Sequence, residues 1–178
     1  MADQIAALLE KAAPLVATVA THVKADHAKY FLWAVLGGGV FPKLLAAVGA
    51  GPMVKEFPKL PRWFWLPCAA WELAGVLALT TDVLPATVGP LKRAELGFLL
   101  TYSYLGGIFA NNWLIHLNAK SIPATVFTVL TIAATATFGF HNGVKAPTTA
   151  HAHAVIGGFV IGTVISLFSV SPKKGKKN

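Results

Sequence analysis

Apolar stretches long enough to matter for a bilayer alternate along this chain with short clusters of Pro, Gly and charge. Five of them approach the roughly 20 apolar residues that cross a membrane as a helix: Tyr30–Ala50, Trp63–Leu84, Ala94–Leu117, Ser121–Phe140 and Ala154–Val170. The last two carry no charge. Tyr30–Ala50 is interrupted by Pro42 and Lys43, Trp63–Leu84 contains Glu72, and Ala94–Leu117 begins with Glu95 and ends near His116. Ahead of the first stretch, Ile5, Leu8, Leu9, Ala12, Val16, Val19 and Val23 recur at helical spacing. That spacing predicts an amphipathic helix on the membrane surface or against the bundle, kinked or split at Pro14.

The connections are short. Gly51–Arg62 holds Pro52, Pro58 and Pro61 and is expected to be extended or turned rather than helical. Val83–Lys92, with Pro85, Gly89 and Pro90, is a turn cluster. Asn118-Ala119-Lys120 reads as a tight turn between helices, and His141–Thr149 as a short polar loop. The chain therefore reads as one domain, with an amphipathic segment (1–29), five spans, the last of them within 141–170, and a basic tail (171–178). The predicted fold class is all-α, an integral membrane helical bundle.

Composition supports this reading. The 178 residues are 55% hydrophobic and 12% charged, too apolar for a soluble domain of this length. The formal net charge of +8 is explained by juxtamembrane lysines facing anionic headgroups, so the expected partner is the lipid bilayer and not nucleic acid. Around five spans, six basic residues fall on the amino-terminal side and eight on the other, a weak bias toward a cytoplasmic carboxyl terminus. The single cysteine, Cys68, excludes an intrachain disulfide and a cysteine-based zinc site, and reads as an inert buried thiol. The first 29 residues lack the features of a cleaved signal or a transit peptide.

Candidate chemistry centres on Lys43 and Glu72. A charge within an apolar span is costly alone, so it faces the bundle interior and pairs. Gly37-Gly38-Gly39 and Pro42 make the first span locally irregular, able to admit a neighbour closely and to line a polar cavity. Two readings stay open for the pair: an ion pair that docks two helices, or a ligand or proton site. His151 and His153 lie about 200° apart on a helix and do not readily chelate one ion. His116, His141 and these two are expected to bond water or backbone. No metal site is expected. Thr125, Thr128, Thr131 and Thr135 share one face, suited to packing. Ala154, Gly158, Gly162 and Ser166, each four apart, form a small-residue ridge for close helix contact, inside the bundle or on another subunit. No hydrolase elbow, phosphate loop, dinucleotide fingerprint or metalloprotease motif is present, so no catalytic residue and no cofactor is assigned.

Leu36-Gly37-Gly38-Gly39-Val40-Phe41-Pro42-Lys43-Leu44 resembles the first-helix pattern of DoxX-like membrane proteins. Trp71-Glu72-Leu73-Ala74-Gly75-Val76-Leu77-Ala78-Leu79 resembles their second helix, and Ile122-Pro123-Ala124-Thr125-Val126-Phe127 the start of the fourth helix in the eukaryotic branch, which includes an acetylcholine-receptor assembly chaperone. The resemblance spans roughly residues 30–140. It implies a four-helix bundle, with members that serve a thiosulfate:quinone oxidoreductase or assist membrane-protein assembly. The amphipathic segment and a fifth span depart from that pattern. Lys174-Gly175-Lys176-Lys177-Asn178 resembles a dilysine signal for retrieval to the endoplasmic reticulum, so that or another organelle membrane is the expected location. The expected function is a non-catalytic accessory or assembly subunit of a larger complex of membrane protein subunits. The alternative is a redox subunit that binds a quinone or another small lipid-soluble substrate near Lys43 and Glu72.

Overall fold

The computed structural model of the chain describes residues 2–115, 121–143 and 149–169. His116, the turn expected at Asn118–Lys120 and the dilysine-like tail lie outside them. The described residues are almost entirely helical. α1 spans Ala2–His22, α2 Ala25–Leu32, α3 Gly38–Ala47, α4 Pro52–Glu56, α5 Trp65–Thr80, α6 Arg93–Ile115, α7 Ser121–His141 and α8 Thr149–Ser169.

α2 and α3 belong to one continuous helix, Ala25–Ala47, which starts ahead of the expected Tyr30. A π-turn, Trp33–Gly37, joins them, where the Gly38 N–H reaches back five residues to the Trp33 carbonyl. The widened turn falls where glycine makes regular helix least favourable, and five residues before Pro42, which has no N–H to offer the Gly38 carbonyl. Proline does not break α1, however. Pro14 sits inside a helix that runs unbroken from Ala2 to His22 and packs on α7 and α8.

Two connections differ from their sequence reading. Pro52 starts the one-turn helix α4 after Gly51 at φ 86°, because proline is pre-set for a first helical position and glycine for the left-handed turn before it. The stretch 51–62 is thus partly helical. The turn cluster at Val83–Lys92 closes as a small antiparallel hairpin, β1 (Thr87–Val88) against β2 (Leu91–Lys92), turning at Gly89 with φ 60°. Arg93 anchors it: its N–H bonds the Ala86 carbonyl, and its guanidinium bonds the Leu84 carbonyl (3.0 Å) and Asp82.

α6 is the central helix, with α5, α7 and α8 packed on it. Glycines set the spacing. A Cβ at Gly97 would meet Leu79 N at 2.7 Å, and one at Gly75 would meet Thr101 Oγ1 at 2.9 Å, so α5 and α6 are nearly in backbone contact. α6 and α8 run parallel, since Phe98 and Tyr102 face His151, Gly107 faces Gly162 and Asn111 faces Ser166. The main core joins Leu32 and Leu36 to Val76, Phe98, Tyr102, Leu105 and Phe138. A second, smaller core holds Ala46, Phe57 and Trp65 under the α3–α5 connection.

Ala25–Ala47, Arg62–Thr80 and Thr149–Ser169 are long and apolar enough to cross a membrane. α6 and α7 are not among these three, and the described apolar part of α7 is the shorter Thr125–His141. Large apolar side chains stand exposed on several faces, including Phe41, Trp63, Phe127, Val160, Leu167 and Phe168. Threonine hydroxyls bond their own helix: Thr131 to the Phe127 carbonyl (2.7 Å), Thr135 to Thr131 (2.8 Å) and Thr163 to Phe159 (2.8 Å). That is how a hydroxyl is satisfied where no water is available.

Candidate functional site: a cavity beside a buried ion pair

Lys43 lies one helical turn before the end of α3, and Glu72 sits mid-way along α5. The two helices are antiparallel, so 43 and 72 fall level. Lys43 Nζ donates to Glu72 Oε2 at 2.7 Å and to the Gly39 carbonyl of its own helix at 2.8 Å. Both residues are buried, at 5% and 4% exposure. The ammonium lies 5.1 Å from the centre of the Tyr104 ring on α6, a cation–π arrangement. The carboxylate fits only because residue 39 is glycine: any Cβ there would overlap it. Gly37 is covered instead by the Trp33 ring, and Gly38 faces open space. A second tie fixes the same helix pair: Trp33 Nε1 donates to Thr80 Oγ1 at 2.9 Å, and that hydroxyl donates to the Val76 carbonyl.

On one side of the pair opens a cavity of about 830 Å³. Its walls come from α3 (Lys43), the α3–α5 connection (Met53, Glu56, Phe57, Leu60, Phe64), α5 (Trp65, Cys68, Trp71), α6 (Ser103, Tyr104, Gly107, Asn111) and α8 (Gly158, Ile161, Gly162, Ile165, Ser166). The surface is mostly aromatic and aliphatic, with a few convergent polar groups, which is the usual make-up of a small-molecule site. Tyr104 and Cys68 are both close enough to the pair to interact electrostatically with Glu72. Cys68 is half-buried and lines this cavity, so it is less buried than its apolar sequence setting suggested.

The ridge on α8 forms part of the same wall. A Cβ on Gly162 would meet Gly107 Cα at 2.6 Å, and one on Gly158 would run into the Ser103 carbonyl. The ridge thus docks on α6 of the same chain. Ser166 is buried and its Oγ donates to Asn111 Oδ1 at 3.4 Å, while Ala154 is partly buried against the main core.

The histidines do not converge. His151 is buried between the Phe98 and Tyr102 rings, at 5.3 Å from each, while His153 is exposed. His141 Nε2 is 2.8 Å from the Val23 carbonyl and ties the chain just after α1 to the end of α7. Among the described residues no three His, Cys, Asp or Glu side chains stand together as a metal site. Sequence reasoning missed Tyr104, Asn111 and the aromatic cap at Phe57–Trp65. The density of rings between Phe57 and Trp71, and an asparagine inside an apolar helix, were the available signals.

Comparison of the chain with protein-family models, with curated proteins and with solved structures gives no match.

Proposed function

We propose that the chain is a multi-pass membrane protein with a DoxX-like core that binds a small lipid-soluble molecule beside Lys43 and Glu72. One observation carries this reading: a mainly apolar cavity of about 830 Å³ abuts a buried lysine that is ion-paired with Glu72. That volume is in the range of small-molecule sites. A quinone is one ligand of this type.

The directions of the helices support five passes. α3, α5 and α6 alternate, and α6 and α8 run parallel with α7 linking them in sequence. Two of the three segments that carry the DoxX-like patterns supply Lys43 and Glu72.

The test is extraction of the protein from its native membrane in mild detergent, followed by mass spectrometry of bound organic molecules. Wild type should carry a lipophile in near-stoichiometric amount. Ile165→Phe, which fills the cavity from α8, should release it. Wild type free of any lipophile overturns the proposal.

A second reading is the accessory or assembly subunit. Its support is the exposed apolar face of α8, with Val160, Val164, Leu167 and Phe168. Lipid covers such a face as well as a partner subunit does, and the Gly158–Gly162 ridge is already used within the chain. The ligand reading is therefore placed first.

A further inference from the structure

Of the described residues that line the cavity, four are exposed: Glu56, Pro67, Trp71 and Ile161. The last three belong to α5 and α8, which both pack on α6 and supply two of the walls. Glu56 stands apart from them, in the α3–α5 connection. At that end Phe57 and Trp65 are buried and pack edge to face with ring centres 5.6 Å apart, and Trp65 meets Phe64 in the same way at 5.7 Å. Rings packed on one another in this manner close that end of the space. The opening lies along the side instead, between Trp71, 44% exposed, and Ile161, 55% exposed.

The helices give its depth. Trp71 is the central residue of the membrane-length segment Arg62–Thr80. Ile161 lies two residues past the centre of Thr149–Ser169, about 3 Å along the helix. The opening therefore faces the middle of the hydrocarbon layer. Tryptophan ordinarily gathers at the membrane interface, where its N–H is in reach of water. At mid-span that donor needs a partner in the protein. Trp71 Nε1 finds one on α6, the Leu100 carbonyl, at 3.1 Å. The bond satisfies the N–H and pins the indole to α6, so Trp71 forms a fixed post at one edge of the opening.

We infer that the cavity takes its ligand sideways from the hydrocarbon interior of the bilayer, between Trp71 and Ile161, and that a molecule entering whole by this route carries no ionised headgroup. An ionised group is costly at that depth unless the protein pairs it. The Lys43 ammonium at this level is already paired with Glu72. The inference rests on the ligand reading above and adds the source of the ligand and its way in.

The experiment uses Cys68, the one cysteine in the chain and part of the cavity wall. The full chain, freed of bound lipophile, is placed in lipid nanodiscs and treated with one of two thiol reagents. N-pyrenylmaleimide dissolves in the bilayer, and a disulfonated stilbene maleimide stays in water. The first should label Cys68 and the second should not. Ile161→Trp, which narrows the opening, should slow the pyrene reagent at least several-fold, whereas Ile161→Ala should not slow it. A misfolded variant would bare the thiol and speed labelling, the opposite result. Three outcomes overturn the inference: no labelling of wild type by the pyrene reagent, labelling by the sulfonated reagent at a matching rate, or a pyrene rate that Ile161→Trp leaves unchanged or Ile161→Ala slows equally. If wild type from native membrane still retains a lipophile that Ile165→Phe releases, the ligand reading then stands without this route. Wild type that retains none overturns the ligand reading, and this inference with it, whatever the labelling.

Discussion

The Glu72 carboxylate occupies the volume that a side chain on residue 39 would need. Gly39 and Glu72 therefore act together, one vacating the surface of α3 and the other filling it with the charge that Lys43 requires. Gly39→Ala should displace the carboxylate and loosen the pair. The expected loss is about 2 kcal/mol, typical of an over-packed contact. Gly38→Ala, which faces open space, is the internal control and should leave stability within about 0.5 kcal/mol. Reversible unfolding in mixed micelles compares them, and equal effects of the two substitutions would sink the assignment.

Breaking the pair should cost more than replacing it. Glu72→Leu strands the Lys43 ammonium in an apolar setting and should destabilise by about 3–5 kcal/mol. The double variant Lys43→Met/Glu72→Leu leaves no orphan and should recover much of that loss. A double-mutant cycle measured by thermal unfolding in detergent checks the coupling. Additive losses would mean that the two residues do not depend on each other.

Neighbouring glycines on α8 should differ sharply. Gly158 and Gly162 lie against the α6 backbone, whereas nothing stands within 4 Å of a Cβ built on Gly157. Gly162→Leu would press on Gly107, which is backbone and cannot rotate away, so a loss of about 3 kcal/mol is expected. Gly157→Leu should be nearly neutral. Protease susceptibility of α8 in detergent reads both. If Gly157→Leu proves the more damaging, α8 docks through its other face, as an external partner would require.

Cys68 offers a probe of the cavity, because it is the one cysteine in the chain and lines the wall. A small lipophilic maleimide should label it in ligand-free protein. Labelling should slow at least several-fold when the cavity is occupied by the native lipophile or filled by Ile165→Phe. Rates that ignore both treatments would place the thiol on a surface unrelated to binding.

The five-pass arrangement makes a topological prediction. In a Cys68→Ser background, single cysteines at Gly89 in the hairpin and at Lys59 in the α3–α5 connection should react with an impermeant thiol reagent from opposite sides of sealed vesicles. Reaction of both from one side would contradict a membrane crossing by α5.

Sequence by itself determined the helical class and the amphipathic start, because apolar periodicity and length are local properties of the chain. The high cost of a lone charge in an apolar span singled out Lys43 and Glu72, and four-residue spacing of small side chains singled out Gly158 and Gly162, before any packing was known. Tertiary structure decided what each of these meets. That Lys43 and Glu72 lie 2.7 Å apart follows from the register of α3 against α5, which Gly39 and the Trp33–Thr80 hydrogen bond fix together. That the small-residue ridge packs on Gly107 of the same chain follows from the parallel course of α6 and α8, a relation between segments some fifty residues apart. The helix Pro52–Glu56 and the hairpin at Gly89 also escaped a reading by composition, because Pro and Gly announce a change of direction without stating which turn the neighbours will complete. The cavity is the least local feature of all: its wall draws on five segments, and no single one carries a signal of the space they leave between them.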